Sequence, residues 1–111
     1  MHWKFASPWN VSTCMARLCD PNIGNVDELN PFCVEAMKLS DSQVYLVYKG
    51  RRFSKGRRTE YNVSMMPDMS SSGATVTVVF NRELFNLSYP MTPITELDAF
   101  LKLALNASRM E

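Results

Sequence analysis

Six cations fall within the ten residues from Lys49 to Arg58: Lys49, Arg51, Arg52, Lys55, Arg57 and Arg58, with no acidic residue among them. Phe53 lies inside this stretch, and Tyr48 and Tyr61 flank it. Cations interleaved with aromatics suit nucleic acid, because arginine and lysine meet phosphates while aromatic rings can stack on unpaired bases. If all six cations neutralised RNA phosphates, log K against log salt would slope about −4, from roughly −0.7 per contact. A like-charged block also serves as a solubilising surface or binds acidic protein tails. Composition leaves all three readings open.

Other chemistry is hard to assemble from this chain. The single histidine, His2, would have to fold back into a cleft to serve a Ser-His or Cys-His mechanism. The three cysteines follow Cys14-x4-Cys19-x13-Cys33, which is not a zinc spacing and lacks a fourth ligand unless His2 supplies it. Buried, apolar cysteines are the simpler reading. Gly50 and Gly56 lie among arginines without the spacing of a phosphate-binding loop. The carboxylates are scattered, with no pair spaced for acid/base work. The expectation is a non-enzyme with no catalytic residue, no metal and no cofactor.

The formal charge is +1, so charge distribution rather than its sum points to partners. An odd cysteine count argues against a complete disulfide framework. Met1-His2-Trp3-Lys4 is followed by no uninterrupted apolar run, and no stretch approaches the ~20 apolar residues that span a bilayer. A reducing, cytoplasmic setting without membrane insertion is therefore expected. Four Asn-x-Ser sequons, at Asn10, Asn62, Asn86 and Asn106, pull the other way, since each is a glycan acceptor in a secreted protein.

The elements that would position the basic stretch read as follows. Trp3, Phe5 and Trp9 occupy odd positions, as in a short extended segment laid across a core and broken by Pro8. A short helix is expected over Thr13–Cys19, with Ser12 as N-cap and Asp20-Pro21 as its end. A second is expected from Asn30 as N-cap and Pro31 through Phe32, Cys33, Ala36, Met37 and Leu39 to about Ser40. Val44–Lys49 alternates as a strand, with Val44, Leu46 and Tyr48 to one side, and Thr59–Met66 resumes the pattern after the basic loop. Residues 67–73 form a flexible connector. Thr75–Phe80 is a strand, 81–83 a turn, and 84–89 a returning strand. Thr92 caps a closing helix that begins at Pro93 and runs to Ser108, with Ile94, Leu97, Leu101 and Ala104 in one stripe and Phe100 and Leu105 widening it. Arg109 would complement the dipole at its far end. Helices at both ends of a run of strands indicate an α+β fold, an antiparallel sheet of three to four strands with helices on one face, in the order α-β-β-β-β-α. The chain divides into an N-terminal extension, 1–25, and a single domain, 26–111.

Ser42–Gly50 (SQVYLVYKG), the cation-rich loop after it, and Val78–Met91 (VVFNRELFNLSYPM) running into the closing helix resemble the small Alu-RNA-binding subunits of the signal recognition particle. The resemblance covers about residues 26 to 108. Those subunits are related α-β-β-β-α proteins that heterodimerise into a concave, basic RNA-binding sheet. The resemblance implies a cytoplasmic ribonucleoprotein component, with structured RNA held by the 49–58 loop and adjoining sheet face, and a protein partner in a homo- or heterodimer. Lys49, Arg51, Arg52, Lys55, Arg57 and Arg58 would contact phosphates, and Phe53 would stack or pack. The rival reading is a protein-interaction adaptor or inhibitor that binds through an open sheet face or an edge strand.

Overall fold

The computed structural model describes residues 2–20, 34–49, 58–80 and 94–110. Within them an antiparallel sheet carries two helices on one face, in the order β1 (His2–Ser7), α1 (Val11–Leu18), β2 (Val34–Ser40), β3 (Gln43–Lys49), β4 (Arg58–Pro67), β5 (Ala74–Phe80), α2 (Ile94–Leu105) and β6 (Ser108–Arg109). The six strands lie side by side as β2-β3-β4-β5-β1-β6. The α+β class read from the sequence is the observed one, with more strands than expected.

Alternation explains the meander β3-β4-β5. Val44, Leu46, Tyr61, Val63, Met65, Ala74, Val76 and Val78 are all buried, and register lines them up in rows: Val44 against Val63 against Val78, and Met65 against Val76. β1 extends those rows. Trp3 pairs with Val78, Phe5 with Val76 and Ser7 with Ala74, so the first strand lies inside the sheet, between β5 and β6. Trp3 and Phe5 are thus extended, as expected, while Trp9 lies beyond the end of β1 at Ser7.

Two expectations are corrected here. Val34–Ser40 is not a helix but the edge strand β2, paired with β3 from Val34↔Tyr48 to Ser40↔Gln43 with a bulge between Lys38 and Ser40. The run Glu-Ala-Met-Lys-Leu has good helix propensity, yet propensity is a weak prior beside a strand as strongly β-forming as VYLVYK, two residues away. The tight turn helps: Ser42 N–H donates to Ser40 Oγ at 3.3 Å, and the Ser42 carbonyl accepts from Met65 N–H at 2.9 Å. Residues 68–73 are also more than a connector. The Asp68 carboxylate accepts from the Ser70 backbone N–H and the Ser70 hydroxyl, both at 2.9 Å, while Asp68 N–H donates to the Gly73 carbonyl at 3.0 Å. The two bonds from Ser70, its backbone N–H foremost, pull the Asp68 pKa below its ordinary value. Gly73 is required at its position, since a Cβ there would stand 2.1 Å from the Ser7 carbonyl oxygen.

The helices sit close to where periodicity places them. α1 begins two residues before the expected start, because Asn10, not Ser12, is the N-cap: its side-chain oxygen accepts from Thr13 N–H at 2.8 Å. Cys14, Met15 and Leu18 form its buried face. In α2, Leu97, Phe100, Leu101, Ala104 and Leu105 are buried, the stripe expected from i, i+3, i+4 spacing. This helix stops at Leu105 rather than Ser108, because Asn106 takes a left-handed φ of 52° and turns the chain into β6. Thr92, Pro93 and the returning strand expected over 84–89 lie outside the described residues. β5 already has β4 on one edge and β1 on the other.

The helix ends are joined to β1 by Ser7, which is 4% exposed. Its hydroxyl donates to the Leu105 carbonyl at 2.6 Å and accepts from Trp9 N–H at 3.1 Å and the Cys14 thiol at 3.3 Å. Arg17 of α1 completes the closure: Nε donates to the Ala104 carbonyl at 3.2 Å, and the guanidinium lies 5.3 Å from the Trp9 ring centroid. Arg17 therefore adds a cation to the C-terminus of α2, whose last turn also carries Lys102, while Arg109 pairs with Asp98 at 3.7 Å. Ser7→Ala should lower the unfolding free energy by roughly 1–3 kcal/mol, because it strips the Leu105 carbonyl of this bond. A urea midpoint unchanged from the parent would refute that role for the hydroxyl.

Candidate nucleic-acid interface

Strands β3 and β4 present the basic stretch. Their pairing runs without a break from Gln43↔Ser64 to Lys49↔Arg58, so the first and last cations of the 49–58 stretch are Cα partners on neighbouring strands. Residues 50–57 connect two adjacent antiparallel strands at one end of the sheet. Arg51, Arg52, Phe53, Lys55 and Arg57 lie outside the described residues. Backbone register alone thus brings the two ends of a six-cation run to one place.

Tyr61 was a candidate for stacking on bases, but it is fully buried, edge-on to Trp3 with centroids 6.3 Å apart and tilted against Phe80 at 5.9 Å. It belongs to the core row between Leu46 and Phe80 and cannot serve a ligand. Sequence alternation held the signal, since Tyr61, Val63 and Met65 share a parity with apolar neighbours.

The sheet face away from the helices is partly exposed. Cross-strand register puts His2, Lys4, Glu35, Met37, Gln43, Tyr45, Val47, Glu60, Asn62, Ser64, Thr77 and Val79 on it. Met37 is 62% exposed and Val79 39%, whereas Val47 is only 6% exposed although it faces away from the core. The edge strand is defended, with a bulge after Lys38 and an ion pair from Lys38 to Asp41 at 3.3 Å, features that discourage a further strand from adding.

The other candidates for chemistry are dispersed. His2 is exposed at the start of β1. Cys14 is fully buried, and Cys19 is half-buried at the end of α1. Cys33 lies outside the described residues. Among the described residues no group of three or more His, Cys, Asp or Glu side chains could hold a metal, and no helix is long and apolar enough to cross a membrane. A groove of about 570 Å³ runs between α1 and the β2–β3 turn, with Met15 and Cys19 on one side and the Lys38–Asp41 pair on the other. Three sequon asparagines, Asn10, Asn62 and Asn106, are exposed. No protein-family model, curated protein or solved structure matches this chain.

Burial pushes the Cys14 thiol above its ordinary pKa of 9.0, against a smaller opposing effect of its bond to Ser7. A folded-state pKa raised above the unfolded value means that deprotonation favours unfolding, so this stabilisation is complete below pH 9 and lost as pH rises through the folded pKa. Urea midpoints measured from pH 8 to pH 10.5 should fall more steeply for the parent than for Cys14→Ala. Parallel slopes would show that the thiol does not contribute.

Proposed function

We propose that this chain is a non-catalytic RNA-binding protein that meets structured RNA through the β3–β4 end of its sheet. The observation that supports the reading most is the Lys49↔Arg58 pairing, which makes a linear run of six cations a local one. Six cations within ten residues raise the local potential toward phosphates more than the formal net charge of +1 suggests. Lys49, Arg51, Arg52, Lys55, Arg57 and Arg58 are the proposed phosphate contacts, with Phe53 as the one aromatic inside the stretch. The cytoplasm and a role in a ribonucleoprotein go with this reading. The likeness to the Alu-RNA-binding subunits of the signal recognition particle supports the ligand class. The architecture departs from those subunits, with six strands among the described residues where they have three.

A second reading is favoured by a different observation. Met37 and Val79 are exposed in one cross-strand row with Tyr45 and Asn62, an arrangement suited to a protein partner. An adaptor of this kind would bind through the open face rather than the defended β2 edge. The Tyr45 and Val47 side chains are poor probes of it, because the first is half-buried and the second buried.

The two readings part in one experiment. Replacing Arg51, Arg52, Arg57 and Arg58 by glutamate should abolish RNA retention from native cells and leave the thermal midpoint nearly unchanged, while Met37→Asp with Val79→Asp should leave RNA retention intact. RNA affinity in the parent should fall with a log–log salt slope of about −4 if all six cations engage phosphates. Unaltered RNA affinity in the four-arginine variant would sink the RNA reading. Partners that survive RNase, moderate salt and the arginine changes, but not the Met37 and Val79 changes, would establish the adaptor instead.

A further inference from the structure

A shallow cavity of about 260 Å³ lies on the sheet face away from the helices, beside the β2–β3 turn. Leu39 of β2 stands at one side and Val79 of β5 at the other, with Gln43, Asn62 and Ser64 of the two strands between them. The floor is β3–β4 backbone, where Val44 pairs with Val63 and both side chains are buried in the core. Gln43 is the Cα partner of Ser64, and Asn62 that of Val79. Opposed residues stand roughly 5 Å apart and next-but-one residues on a strand roughly 7 Å, so two carboxamides and a hydroxyl share one small patch. Among the described residues no side-chain hydrogen bond or ion pair engages Gln43, Asn62 or Ser64. None of the described lining residues carries a charge.

That lining selects a kind of ligand. A phosphate, carboxylate or ammonium group seated here would lose water without gaining a counter-charge, which is costly. A carboxamide instead offers a donor and an acceptor side by side, and by turning over it presents them in either order. It therefore suits a neutral group with both on one edge. Leu39 and Val79 are 53% and 39% exposed, and supply apolar contact for the faces of a flat ring. The volume equals that of about nine waters, the size of one small heterocycle. We propose that this cavity is a binding site for an uncharged nucleobase, read on its hydrogen-bonding edge by Asn62 and Gln43 and held between Leu39 and Val79. Unpaired bases are read on such edges in sequence-specific recognition. The site stands wholly apart from the 49–58 stretch, so it goes beyond the RNA reading and does not depend on it.

The test is an NMR titration of the full chain with uridine and with cytidine, nucleosides that carry no phosphate, against ribose and inorganic phosphate as controls. Both nucleosides should shift the backbone amides of Gln43, Asn62, Ser64 and Val79 saturably, with a Kd of about 1 mM for so small a ligand. The controls should leave those amides in place. Because a carboxamide can turn over, the parent should bind the two pyrimidines within about threefold of each other. Asn62→Asp keeps the shape but can only accept, so it should lose about tenfold for uridine and retain cytidine, whose exocyclic amine donates. Asn62 is exposed, so this variant should fold as the parent does. The four-arginine glutamate variant should bind both nucleosides as the parent does. No saturable shift with either nucleoside, or equal shifts with ribose or phosphate, overturns the site and leaves the RNA reading standing. So does an equal loss of uridine and cytidine in Asn62→Asp.

Discussion

The fold depends on how the C-terminal carbonyls of α2 are satisfied. A helix end leaves acceptors without partners inside the helix, and burying them bare is costly. Here the partners come from the opposite end of the chain: the Ser7 hydroxyl takes the Leu105 carbonyl, and the Arg17 guanidinium takes that of Ala104. Ser7 also sits where β1 passes Gly73 at a distance only glycine permits. One serine therefore ties β1 to α2, anchors the entrance to α1 through Trp9 and Cys14, and lies against the β4–β5 turn. Leu97, Phe100 and Leu101 can cover the sheet only because the end of their helix is held at that point.

With the helices committed to one face, the functional surface is what remains. The open face is mixed and the β2 edge is defended, while the β3–β4 connection gathers charge of one sign. The sheet acts as a lever for electrostatics: antiparallel register makes Lys49 and Arg58, the two ends of the cation-rich run, Cα partners on neighbouring strands.

Much of this was legible in the sequence, and the gaps have physical causes. β3, β4, β5 and α2 stand out because their apolar residues keep a clean period of two or a clean helical spacing. The basic loop stands out by charge alone. β2 did not, because Glu35–Leu39 satisfies both periods over a short run and only its pairing with β3 decides between them. With Glu35–Leu39 assigned to a helix, the row of Glu35, Val47 and Glu60 was invisible, since it exists only in the register of three strands. The end of α2 was misplaced because Asn106 was read as part of a sequon rather than as a residue suited to a left-handed cap. Ser7 carries no pattern that separates it from the ten other serines.

The position of β1 also has a consequence for the order of assembly. Strands β2 to β5 form a meander whose pairings connect near neighbours in the chain, but Phe5 must find Val76, and Ser7 a carbonyl 98 residues away. Closing such distant loops costs entropy before any contact repays it, and chains rich in these pairings fold slowly. The meander can therefore form before its β5 edge captures β1, although β1 is synthesised first. β1 in turn gains its second neighbour, β6, only after residues 108–109 have left the ribosome. Until then the nascent chain offers an unpaired sheet edge, and a chaperone that shields extended strands would have most to do in that interval.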